Sequence, residues 1–121
     1  MLHLSPACQY YLYRGSTDMR KGFDSLSGLV LSQMQMNALS GSVFIFLNKK
    51  HNQVKLLLWE GDGFALYYKR LEKGTYELPV FDVKNDGLSI SSQHLQLILQ
   101  GISLKSVRRR KRYQHLLAKS G

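Results

Sequence analysis

Apolar positions along this chain begin as a short aromatic run, then recur at helical spacing, then in strand-length runs, then at helical spacing again. Residues 9–13, Gln-Tyr-Tyr-Leu-Tyr, read as a short aromatic strand closed by Arg14, Gly15 and Ser16. Met19, Phe23, Leu26, Val30 and Met34 follow at intervals of three and four, which predicts a helix over 18–36. Thr17 is its expected N-cap, and Asp18 in the first turn suits the helix dipole. Gly22 and Gly28 weaken it by up to ~1 kcal/mol each relative to Ala, so packing must hold it. Asn37 to Gly41 ends it.

The middle of the chain has strand character. Val43–Leu47 is a continuous apolar run, 48–53 is a polar hairpin loop, and Val54–Trp59 is the return strand. Glu60-Gly61-Asp62-Gly63 is a turn, because glycine supplies backbone conformations that other residues avoid. Phe64–Leu71 forms a third strand, with one face expected in the core and the other partly wet. Glu72-Lys73-Gly74 turns into a fourth, Thr75–Leu78, which Pro79 stops. Three consecutive tight connections predict an antiparallel meander. Residues 80–89 read as a polar loop. A short helix over 92–100 follows, with Ser91 as N-cap, Ile90 and Leu95 as a hydrophobic staple, and Gly101 at its end.

Size and composition narrow this picture. One hundred and twenty-one residues, 44% apolar and 21% charged, fit a single globular domain and exclude a disordered, collagen-like or coiled-coil chain. No apolar run reaches the ~18 residues of a membrane span, so no membrane partner is expected. Met1 to Tyr10 does not read as a secretory signal. The one cysteine, Cys8, excludes an internal disulfide and a multi-thiolate zinc site, and the cytoplasm is the expected compartment. The charge of +9 is unevenly spread: residues 1–100 hold ten basic and eight acidic side chains, residues 101–121 seven basic and none acidic. The expected organisation is one α+β domain over 1–104 and a basic tail over 105–121. A basic tail on a near-neutral body suits a polyanion, nucleic acid above all; the competing reading is a solvated tail that serves solubility alone.

The strings Thr17-Asp-Met-Arg-Lys-Gly-Phe-Asp-Ser-Leu26, Trp59-Glu-Gly-Asp-Gly-Phe64, Lys69-Arg-Leu-Glu-Lys-Gly74 with Pro79, and Leu95 to Leu99 closing on Gly101-Ile102 occur in an order that resembles the short accessory protein of insertion sequences of the sixty-six group. That protein is called TnpB-type or second-frame, and is unrelated to the RNA-guided nuclease that shares the TnpB name. The resemblance covers about residues 5–104. Ser91-Ser92 stands where that family has a Thr-Pro helix start. The resemblance implies a role in DNA transposition beside a separate, larger transposase, with no catalytic residues to carry over and no cofactor.

Four candidate sites follow from the residues. Arg20 and Lys21 at a helix start suit phosphate; alternatively Asp18 caps, Asp24 pairs with Arg20, and Lys21 is solvated. Asp18, Asp24, Glu60 and Asp62 are the carboxylates a metal-dependent nuclease would need, but Asp62 between two glycines is explained by its turn, and no metal site is expected. Tyr10, Tyr11, Tyr13, Trp59, Tyr67, Tyr68 and Tyr76, interleaved with Lys55, Lys69 and Arg70, suit either base stacking or an ordinary strand core. Lys69 and Arg70 should point to opposite faces. His3, His51, His94 and His115 have no ligand spacing.

The expected nucleic-acid set is Arg20, Lys21, Lys49, Lys50, Lys69, Arg70, Lys105, Arg108, Arg109, Arg110, Lys111 and Arg112. Asp18, Met19, Gly22, Phe23, Asp24, Trp59, Gly61 and Gly63 belong to the strings without an assigned role. The expected architecture is a mostly antiparallel sheet of four or five strands with one long helix on a face, a short C-terminal helix and the tail. The expected function is a non-catalytic transposition factor whose partners are DNA, the transposase or both. A protein–protein adaptor without DNA contact is the alternative.

Overall fold

Val43–Leu47 is apolar at every position, and such a strand is stable only where both of its faces are covered. In the computed structural model, which describes residues 7–77, 87–90 and Leu95, this run is the middle strand of a five-stranded sheet and is buried throughout. The elements in chain order are β1 (Tyr10–Ser16), α1 (Phe23–Ser32), a 3-10 turn (Ala38–Ser40), β2 (Val43–Leu47), β3 (Gln53–Trp59), β4 (Phe64–Arg70) and β5 (Gly87–Ile90). The sheet order is β4-β3-β2-β1-β5. β2, β3 and β4 form the expected meander. β1 pairs parallel to β2 and antiparallel to β5, so the sheet is mixed where a mostly antiparallel one was expected. The cause is α1, which returns the chain to the end of the sheet where β1 began and so starts β2 in the same direction.

Four further expectations change. The helix covers Phe23–Ser32 rather than 18–36. Thr17 is not its N-cap: the Thr17 N–H donates to the Leu47 carbonyl at 2.8 Å, which continues the β1–β2 pairing. Gly22, in extended conformation, is the N-cap. At the other end the Gln33 and Met34 N–H groups both donate to the Leu29 carbonyl, and Gln35 turns to φ 56°. Met34 remains buried from this non-helical turn, which is why apolar periodicity outruns the helix. Thr75–Glu77 is irregular rather than a strand, because the Tyr76 N–H donates to the His51 carbonyl at 2.7 Å. The fifth strand is instead Gly87–Ile90, in the stretch expected to be a loop, where it completes the open edge of β1. The helix expected over 92–100, except Leu95, and the tail over 105–121 lie outside the described residues.

The two faces of the sheet carry two clusters. Leu26, Val30, Met34 and Ala38 cover Phe44, Phe46 and Leu57 on one face. Tyr10, Leu12, Val43, Ile45, Leu47, Val54 and Leu56 pack with Tyr76 and Leu95 on the other. Both sides of the edge strand β4 contribute: Phe64 and Leu66 join the first cluster, Tyr67 the second. Its faces are thus half-buried alike, rather than one core and one wet. β1 bulges beside β2, taking four residues from Leu12 to Ser16 where β2 takes two. Within the bulge Tyr13 folds over Gly15, where an added Cβ would meet the Tyr13 hydroxyl at 2.5 Å. Among the described residues no helix is long and apolar enough to cross a membrane.

Candidate nucleic-acid interface

The loop between β2 and β3 is built on one side chain. Asn48 Oδ1 accepts the N–H groups of Asn52 (3.0 Å) and Gln53 (2.9 Å), and the Asn48 amide donates to Asn52 Oδ1 at 2.7 Å. Of the residues between, His51 is half-buried, and Lys49 and Lys50 are exposed on a framework whose shape does not depend on them.

The bulge in β1 delivers a second loop to the same end of the sheet. Beyond Thr17 the chain turns tightly: Asp18 Oδ1 accepts the Arg20 N–H at 2.9 Å, and the Asp18 carbonyl accepts the Lys21 N–H at 3.1 Å. Asp18 therefore shapes a turn and does not cap the helix. Arg20 Nε donates to both Asp18 oxygens at 3.1 Å, and Nη2 to Oδ2 at 2.7 Å. Asp18, not Asp24, is thus the partner of Arg20. The Arg20 side chain, with its backbone N–H, holds the Asp18 carboxyl well below the usual carboxylate range, and Asp18 raises the guanidinium in return. The fork fixes Arg20 in orientation while its remaining N–H groups stay available.

Lys55 ties this second loop to the sheet. It is buried, 7% exposed, and its Nζ donates to the Lys21 carbonyl at 2.8 Å. It also sits 4.7 Å from the centre of the Tyr68 ring, which lies directly across from it on β4. The Tyr68 hydroxyl in turn donates to Gln53 Oε1.

Together these groups line an open cleft of ≈ 610 Å³ formed by Ser16 to Arg20, Asn48 to Lys50, Gln53 and Tyr68. It joins three of the expected cations, Arg20, Lys49 and Lys50, against one carboxylate, Asp18. Lys21 follows directly and is half-buried. Arg70 lies opposite Gln53 on the Tyr68 side of β4, paired with Glu72 at 3.2 Å, and Lys69 falls on the other face as expected. Lys105, Arg108, Arg109, Arg110, Lys111 and Arg112 lie outside the described residues. Sequence reasoning missed Asn48 and Gln53. The signal available for them was a pair of Asn residues, 48 and 52, bracketing the loop.

The other string residues serve the frame. Met19 packs against the α1-side cluster, Phe23 stacks on Phe64 at 6.4 Å, and Trp59 meets the same ring edge-on at 5.0 Å. Gly61 takes φ 96°, as the turn demands, and the Glu60 N–H donates to the Gly63 carbonyl. That hairpin places Glu60 and Asp62 at the far end of the sheet from Asp18, while Asp24 lies in the first turn of α1. Among the described residues no three His, Cys, Asp or Glu side chains converge on a metal position. Cys8 is half-buried against the second cluster.

The chain matches the family described as IS66 Orf2 like protein over residues 8–109. It is 31% identical over 102 residues to the uncharacterized protein y4hO of Sinorhizobium fredii, across 84% of this chain and 87% of that protein. To the uncharacterized protein y4jC of the same organism it is 30% identical over 93 residues, across 77% of this chain and 78% of that one. No solved structure matches it.

Proposed function

The chain belongs to the IS66 Orf2-like family, and from that premise we propose that it is a non-catalytic accessory factor in the transposition of an insertion sequence, acting on DNA in the cytoplasm beside the element's transposase. The observation that supports DNA contact is the cleft, where two loops distant in sequence present Arg20, Lys49 and Lys50 against the single carboxylate of Asp18. Loops of this kind suit backbone phosphates, which position a protein without reading sequence. The run Arg108–Arg112 adds five cations from the tail. Strand cutting belongs, in this reading, to the transposase.

The salt dependence of binding to duplex DNA tests it. Five phosphate contacts by residues 108–112 give a slope of log K against log salt of about −4.5, and two by Lys49 and Lys50 add about −1.8. Serine at all five tail positions and alanine at Lys49 and Lys50 should flatten the slope by those two amounts. Unchanged slopes in both variants would end the DNA-contact reading. With Mg²⁺ or Mn²⁺ and the element's ends, the purified protein should leave DNA uncut; nicking that vanishes in Asp18→Asn, Asp24→Asn, Glu60→Gln or Asp62→Asn would make it an enzyme.

A second reading, an adaptor that holds only protein, is favoured by one feature: Leu31 and Leu39 on the α1 side are 70% and 53% exposed. Recovery of the transposase with the tagged protein after nuclease treatment supports the adaptor, and its loss supports a DNA bridge.

A further inference from the structure

Tyr68 is 52% exposed although it stands directly across from the buried Lys55. Two contacts hold its ring: the hydroxyl donates to Gln53, and Lys55 Nζ lies against the ring at 4.7 Å. Neither occupies the exposed surface of the ring, which lines the same cleft as Arg20, Lys49 and Lys50. A fixed aromatic ring beside cations from two loops is the arrangement that receives a nucleotide chain with its bases free: the ring takes a base by stacking, the cations take the flanking phosphates. In a duplex the base faces are covered by neighbouring pairs, so only an unpaired base can use such a ring. Lys55 strengthens the platform, because it holds the ring in place without occupying the cleft itself.

We propose that this cleft binds single-stranded DNA, with one unpaired base stacked on the open face of Tyr68 and adjoining phosphates on Lys49, Lys50 and Arg20. The inference rests on the DNA-contact reading above and specifies the form of DNA that the cleft takes.

The test is fluorescence anisotropy of the full chain with one labelled oligonucleotide, offered as a single strand and as a duplex at equal ionic strength. The single strand should bind more tightly. Tyr68→Ala should weaken single-strand binding by about five- to 150-fold and leave duplex binding unchanged. Tyr68→Leu keeps an apolar cover over Lys55 but offers no ring, and should lose the same single-strand affinity while circular dichroism shows the protein still folded. Tyr68→Phe keeps the ring and should stay near wild type. Equal affinity for the two forms, or full single-strand affinity in Tyr68→Leu, overturns the inference and leaves duplex contact standing. Failure to bind either form removes both readings together.

Discussion

The meander has two connections, and they reverse the chain by different means. At the cleft end, residues 48–52 have two backbone hydrogen bonds and His51 at φ 59°, and the Asn48 side chain adds three more bonds to Asn52 and Gln53. At the far end, residues 60–63 are shaped by the backbone freedom of Gly61 at φ 96° and one backbone hydrogen bond. A glycine turn ends a strand and presents little else. A loop folded around a half-buried amide leaves some of its positions free: His51 takes φ 59° and its carbonyl accepts the Tyr76 N–H, while Lys49 and Lys50 stand exposed between it and Asn48. The cations of the described chain gather at the end whose loops are held from within by side chains.

The comparison can be broken from either end. The largest effect expected is that of Asn48→Ala, which removes three hydrogen bonds and should destabilise the fold by about 2–3 kcal/mol in chemical denaturation. It should also weaken DNA binding, since Lys49 and Lys50 lose their frame. Tyr76, whose N–H closes on the same loop, gives a pH handle. Burial and, after it, the neighbouring Tyr67 push its phenol up from 10.0 to about 12. The neutral form is the one the fold accommodates, so its stability is fully present below pH 10 and is lost as pH rises towards 12. An alkaline stability profile should fall by up to about 2–3 kcal/mol across that window, and Tyr76→Phe should flatten it. Gly61→Val should cost more than ~1 kcal/mol through strain at positive φ, yet leave the salt slope of DNA binding intact. A changed slope would dissolve the distinction between the two ends. Smallest is the Asp18–Arg20 fork. Being exposed, it should leave melting unmoved in Asp18→Asn, whereas Arg20→Ala should let the Asp18 carboxyl titrate upward towards 3.8 by NMR.

The strands of the meander were legible because their periodicity and turn residues agree: Val43–Leu47 falls where the apolar run places it. Arg20, Lys49 and Lys50 were legible as cations, but their convergence was not. It depends on the parallel pairing of β1 with β2, which sets residues 16–20 beside 48–50. In the sequence Lys55 is one cation among strand aromatics; its partner is a backbone carbonyl, which leaves no trace there. The start of α1 was misplaced because Asp18 serves a helix N-terminus and a tight turn with the same oxygen, and Arg20 decides between them. β5 was invisible because its composition is that of a loop, and only the vacant edge of β1 makes it a strand.

That edge sets a schedule for synthesis. Tyr10 pairs with Ile90, so one of the first strands to leave the ribosome waits for a segment made about 80 residues later before its second side is closed. Until then a nascent chain carrying β1 to β4 presents an unpaired row of backbone groups on a strand that holds Tyr10, Tyr11 and Tyr13. A product ended before Gly87 would keep that row open for good and should self-associate through it, whereas a chain that reaches Ile90 seals it from within.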